Sequence, residues 1–169
     1  YKCKIIYINI YSMFKCVKIF SCFNRMNIVP NWDEVTEKVP EFSLNEEVKK
    51  AKVVSVYDGD TIRVVFPILD KLYKWNCRIT GVDTPELRTR DDMEKKFGYE
   101  VRDKLKEKIL NKVVTVKCGK FDKYGRLLID IYCDGDVRSI SHWLIENKYA
   151  FAYDGGTKQK WSDYLKTHK

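Results

Sequence analysis

The feature that most constrains the fold of this chain is the place where its hydrophobic period changes. Residues 52–57 (KVVSVY) and 61–66 (TIRVVF) are β-branched runs separated by Asp58-Gly59-Asp60. Asp-Gly between such runs predicts a hairpin. Residues 73–80 read as a third strand. The pattern then switches, with Phe97, Val101, Leu105 and Ile109 recurring every four residues among charged neighbours. That spacing predicts an amphipathic helix over 94–111 with one buried stripe. Strand-like runs return at 113–118 (VVTVKC) and 126–133 (RLLIDIYC), and Asp134-Gly135 turns the chain after them. A short helix is expected over 139–147, capped by Ser139 with Ile140, Trp143 and Leu144 inward, and a last helix over 157–167. Three strands, a helix, two strands and further helices outline a mainly β, α+β domain. The architecture expected is a five-stranded OB-fold Greek-key barrel with about three helices, a class that often binds oligonucleotides on one face.

Charge divides the chain. Residues 1–30 hold five basic residues and no acid; residues 31–47 hold six acids against Lys38, so the whole net charge of +8 belongs to residues 48–169. The expected organisation is therefore a basic-then-acidic extension over 1–47, followed by the barrel domain over 48–169. A basic domain rich in aromatics favours polyanionic partners, nucleic acid before anionic membrane. No run of about 18 apolar residues is present, so no membrane-spanning helix is predicted. Within the extension, Cys16, Val17, Ile19, Phe20 and Phe23 separate from Lys15, Lys18 and Arg25 on a helical wheel. Residues 14–25 could thus lie on a membrane surface, or form a plain basic tail. The six cysteines include no pair at zinc-knuckle spacing and the only histidines are His142 and His168, which excludes a structural zinc site of the usual kind. Free thiols in a reducing, cytoplasmic setting are expected.

Several charges fall where a small barrel does not need them. Asp60 and Asp83 stand at strand ends, where two carboxylates brought together would repel. A hard divalent cation such as Ca²⁺ or Mg²⁺ removes that repulsion, and the Thr84 carbonyl could join them. Each segment also reads as an ordinary turn, since Asp, Gly and Pro are favoured there for local reasons. Arg78, inside a strand, needs a carboxylate or a phosphate beside it; Asp83 or Glu86 would serve as structural partners. Arg126 either faces the same place or is a surface charge at a hairpin mouth. Glu86, three residues beyond Asp83, could accept a proton from water or pair with Arg88 or Arg90.

Together these segments resemble a known family. DGDT (Asp58–Thr61), RITGVDTPE (Arg78–Glu86), EKKFGYE (Glu94–Glu100) and DKYGRLL (Asp122–Leu128), in that order, are similar to the signature of staphylococcal nuclease-like (thermonuclease) domains. NKYAFAY (Asn147–Tyr153) resembles the family's tyrosine-bearing segment. The resemblance covers residues 50–165 or so. It implies a Ca²⁺-dependent nuclease acting on DNA and RNA and leaving 3′-phosphate and 5′-hydroxyl ends; the basic surface with aromatic rings to stack on unpaired bases predicts a preference for single strands. It further implies Asp60, Asp83 and Thr84 as metal ligands, with Arg78 and Arg126 gripping the scissile phosphate and Glu86 as general base. Lys123, Tyr124 and Tyr153 fall on substrate-contacting positions. A catalytically silent nucleic-acid-binding barrel is the alternative. Departures are a shorter loop after Glu86 (LRTRDD) and a truncated C-terminal helix. A monomer is expected.

Overall fold

A computed structural model describes residues 30–168 of the chain. The amphipathic segment expected at 14–25, with Cys16 and Cys22, lies outside the described residues. Residues up to Pro40 and residues from Glu41 onward form two units. In the first, the described part holds a short 3₁₀ turn, Trp32–Glu34, capped by Asn31, whose side-chain oxygen accepts from the Asp33 amide.

The second unit runs β1 (Val48–Val56), β2 (Thr61–Ile68), β3 (Lys71–Ile79), β4 (Val82–Asp83), α1 (Asp92–Ile109), β5 (Val113–Phe121), β6 (Leu127–Cys133), α2 (Ile140–Glu146), β7 (Phe151–Ala152) and α3 (Trp161–His168). Strands β1, β2, β3, β6 and β5 close into a barrel in that order. All neighbours are antiparallel except β3 and β6, whose parallel seam pairs Cys77 with Leu127, Arg78 with Leu128 and Ile79 with Ile129. This is the five-stranded barrel with three helices that the periodicity predicts. The residues alternate as a closed barrel demands: in β6, Leu127, Ile129 and Ile131 are buried while the residues between them are partly exposed.

Helix α1 keeps the stripe read from the sequence. Phe97, Val101, Leu105 and Ile109 are all buried. Its start is set two residues early by Asp91, whose carboxylate accepts from the Met93 and Glu94 amides. Each fully buried Leu or Ile of this core contributes about 2 kcal/mol of transfer free energy. Helix α2 starts at its Ser139 cap, and Ile140 and Leu144 point inward as expected while Trp143 is only partly covered.

Three features differ from the sequence reading. The compact unit begins at Glu41 rather than 48. Leu44 is buried in the core, and the chain from Glu46 to Glu47 pairs with Cys118 through two backbone hydrogen bonds of 2.8 Å. Strands β4 and β7 form an additional two-stranded sheet, pairing Val82 with Ala152 and Asp83 with Phe151. Helix α3 begins at Trp161, not 157, because the Trp161 ring is held 4.0 Å from Phe151 in a stack that anchors the first turn. Residues 153–160 are left as an irregular connection. Cys77 and Cys118 are free and buried and Cys133 is free and partly exposed, as expected of thiols that pack rather than bridge. No helix among the described residues is long and apolar enough to cross a membrane.

Candidate active site

The site lies where β2 begins, β3 ends and β6 begins. The turn before β2 is pinned by Asp58, whose Oδ1 accepts from the Asp60 amide at 3.1 Å and the Thr61 amide at 2.7 Å. Gly59 does not have a positive φ. What excludes a side chain there is proximity, since a Cβ would stand 2.7 Å from the Thr84 Cβ. The turn is thus laid directly on the segment after β4, bringing Asp60 and Thr84 together from distant parts of the sequence.

Asp60 is buried. Its Oδ2 takes Arg78 Nη1 at 2.7 Å and its Oδ1 accepts the Thr61 hydroxyl at 2.9 Å. Burial nevertheless pushes its pKa up to about 7, against the pull of Arg78 and with a further push from Asp58. One guanidinium does not supply enough positive charge for this carboxylate. Arg78 pairs here rather than with Asp83 or Glu86, and its Nη2 reaches the Val82 carbonyl at 3.5 Å. Cross-strand register sets this arrangement, because Thr61 and Arg78 are paired residues of β2 and β3.

Arg126 converges on the same threonine. Its Nη1 donates to Thr61 Oγ1 at 3.3 Å and its Nε to Asp122 Oδ2 at 2.7 Å. Asp122 Oδ1 also accepts the Tyr124 and Arg126 amides, each at 2.9 Å. Partial burial pushes Asp122 up, but these hydrogen bonds prevail and hold it below the usual carboxylate value. The 122–126 turn is therefore a rigid holder for Arg126, closed by Gly125 at φ 76°. Lys123 and Arg126 stand 5.1 and 5.6 Å from the exposed Tyr124 ring.

On the other side, Asp83 ends β4 with its side chain only 4% exposed. Its Oδ1 is buried without a well-aligned hydrogen bond, although Lys158 Nζ lies 2.6 Å away as a charge partner. Lys158 also donates to Glu86 Oε1 at 3.3 Å. Glu86 therefore pairs with this lysine, not with Arg88 or Arg90, and remains 58% exposed. Its backbone amide is held by Glu94 at 3.1 Å. For Lys158, burial lowers the pKa but Asp83 and Glu86 raise it further, so it stays protonated.

An open cavity of about 490 Å³ joins these parts. Eight of the nine residues singled out from the sequence line it: Asp60, Thr84 and Glu86, the two arginines, and Lys123, Tyr124 and Tyr153. The ninth, Asp83, does not open onto it but touches Lys158, which does. Asp58, Thr61 and Asp122 also line it; they sat inside the quoted motifs without a role of their own. Lys158 carried no sequence signal, being 72 residues from Glu86.

Among the described residues, no three His, Cys, Asp or Glu side chains gather closely enough to chelate a metal unaided. The candidate donors are two carboxylates and a backbone carbonyl, from Asp60, Asp83 and Thr84. They fit a hard divalent cation: Asp60 is short of positive charge, and a buried oxygen of Asp83 lacks an aligned donor.

A family profile described as Staphylococcal nuclease homologue matches residues 76–168, more than half of the chain. The chain belongs to the staphylococcal nuclease homologue family. Among relatives of this family, an endonuclease Htp3 of Saprolegnia parasitica is 32% identical over 149 residues, covering 80% of this chain and 66% of its own length. Endonuclease YncB of Bacillus subtilis is 31% identical over 107 residues, covering 60% of this chain and 48% of itself. A thermonuclease of Staphylococcus hyicus is 36% identical over 91 residues, covering 52% and 51%. The chain thus spans between 48% and 66% of the lengths of these relatives.

Proposed function

We propose that this protein is a nuclease that hydrolyses phosphodiester bonds of DNA or RNA with the help of a divalent cation, Ca²⁺ in the first instance. The observation that carries this reading is that Arg78, bonded to Asp60, and Arg126, bonded to Thr61, are linked through the Thr61–Asp60 hydrogen bond and line one cavity with Asp60 and Glu86. The named activities of its relatives point the same way. A phosphodiester anion resists attack because nucleophile and target are both electron-rich. Asp60, Asp83 and the Thr84 carbonyl would hold the cation, which when bound supplies charge neutralisation at the phosphate.

The chain's own residues do the rest. Arg78 and Arg126 bind the non-bridging oxygens and hold them as negative charge builds in the five-coordinate transition state. Glu86 orients a water for in-line attack and takes its proton. The new bond joins water oxygen to phosphorus, the bond to the 5′ oxygen breaks, and that oxygen leaves as a hydroxyl after taking a proton from solvent. The phosphate remains on the 3′ side. Lys123 would track the backbone and Tyr124 and Tyr153 would stack on unpaired bases, which favours single strands. A silent binding barrel has no use for a buried Asp60 whose charge one guanidinium does not fully offset, which is costly to keep.

Degradation of single-stranded DNA and RNA, in Ca²⁺ and in chelator, tests the reading. Ca²⁺-dependent loss of substrate with 3′-phosphate ends is expected. Intact substrate with Ca²⁺ and with Mg²⁺ would overturn it.

A further inference from the structure

Lys158 has no part in the chemistry above, yet it sits on two of the residues that chemistry needs. Its Nζ stands 2.6 Å from Asp83 Oδ1 and 3.3 Å from Glu86 Oε1. The first contact is a charge pair without hydrogen-bond alignment at the buried oxygen. We infer that Lys158 is the internal counter-cation of the metal-free site: it neutralises Asp83 and engages Glu86, and it must withdraw from both for a divalent cation to be held by Asp83. The inference rests on the metal site proposed above.

Three features support withdrawal. Lys158 is a point charge on a four-carbon stem, and its side chain is 46% exposed while that of Asp83 is 4% exposed. It belongs to the irregular connection between β7 and α3, which contains Gly155 at φ 101° and Gly156. The Tyr153 ring, 6.0 Å from Nζ, offers the ammonium a second place within the same cavity. Charge explains why exchange goes one way. In a poorly solvated pocket a divalent cation interacts with a buried carboxylate more strongly than a single ammonium does. The same exchange frees Glu86, which cannot accept a proton well while it accepts a hydrogen bond from Lys158.

Competition of this kind lowers apparent affinity by the fraction of time that the site is open. A minor open state of about a tenth or less would weaken cation binding about tenfold or more.

The test is Ca²⁺ binding to the full chain by calorimetry, without substrate, for wild type and Lys158→Met, which keeps the stem and removes the charge. Tighter binding by Lys158→Met, about tenfold or more, is expected. Its metal-free form should melt lower than wild type and gain more from Ca²⁺. Equal or weaker binding by a folded Lys158→Met overturns the inference, as does a lower melting point that Ca²⁺ does not restore. Wild type provides a second readout if the variant does not fold. Acylation of Lys158, followed by mass spectrometry, should rise on Ca²⁺ addition relative to Lys117, whose partner is Glu46 outside the cavity. An unchanged ratio overturns it. Absence of Ca²⁺ binding in both proteins removes the metal reading and this inference together. Binding by the wild type without the shift in Lys158→Met removes this inference alone.

Discussion

The two sides of the cavity are built differently. On one side Asp60, Thr61 and Arg78 are paired across neighbouring strands, largely out of water, with each polar group held by another. On the other side Glu86 and Lys158 stand on loops and are roughly half exposed; Tyr124, on the turn that carries Arg126, is exposed at the rim as well. Strand register places the first group whether or not a ligand is present. Glu86 and Lys158 hold each other only through an exposed contact of small worth. Under the proposed function the lesson is a division of labour: groups that would meet a phosphate at fixed distance are braced by the barrel, and groups that would move protons or adapt to bases are left on the rim.

Mutations can break that contrast. Arg78→Ala should show the largest effect, because it removes a phosphate ligand and leaves Asp60 buried without its partner. Turnover should fall about a hundredfold or more and the melting temperature should fall with it. Glu86→Gln should cost turnover on the same order, about a hundredfold, yet leave the melting curve in place. A thermal loss in Glu86→Gln, or none in Arg78→Ala, would erase the distinction between the two sides. Kinetics and calorimetry on the same samples measure both.

Gly59→Ala is a structural test of the braced side. Its Cβ would meet the Thr84 side chain at 2.7 Å, so a loss of about 1–3 kcal/mol is expected in chemical denaturation. Wild-type stability there would mean that the turn and Thr84 are not locked together.

A pH series sharpens the comparison. Because burial raises Asp60 from 3.8 to about 7, the folded protein binds a proton that the unfolded chain releases across that interval. The contribution is fully present below the lower value and is lost as pH rises through the upper one. Metal-free protein should therefore lose stability over this window, and Ca²⁺ should flatten the fall. The smallest effect belongs to the rim. Tyr124→Ala, at a side chain 73% exposed, should weaken single-strand binding by about 1 kcal/mol and leave stability unchanged.

Much of the barrel was legible because its signals are local. The four-residue recurrence of Phe97, Val101, Leu105 and Ile109 can be satisfied only by a helix on a core. The hairpin at Asp58–Asp60 was also legible, though for a different reason: Gly59 serves a close approach to Thr84, which no local rule expresses. Strands β4 and β7 are two residues each, too short for any period. Leu44 sits among acids that suggest a linker, and what ties its segment to the barrel is its own burial, the backbone bonds to Cys118 and the Glu46–Lys117 ion pair, none of which a local pattern expresses. In the site, carboxylates and arginines stood out because they are expensive in a barrel. Thr61 stood in the sequence only as the first residue of a strand run and Asp122 only as the first of a motif, and their contacts with Arg126 come from folding. Lys158 is one lysine in a basic domain, and its meaning comes wholly from the partners that folding brings to it.

The parallel seam has a consequence for when the proposed site comes into being. Arg78 is borne by β3 and Arg126 immediately precedes β6, and these strands meet over only three residue pairs, where the cylinder closes. A nascent or partly unfolded chain carries both guanidiniums but has no reason to bring them together. Until that seam is joined, the two guanidiniums stay apart and the proposed grip on a phosphate does not exist.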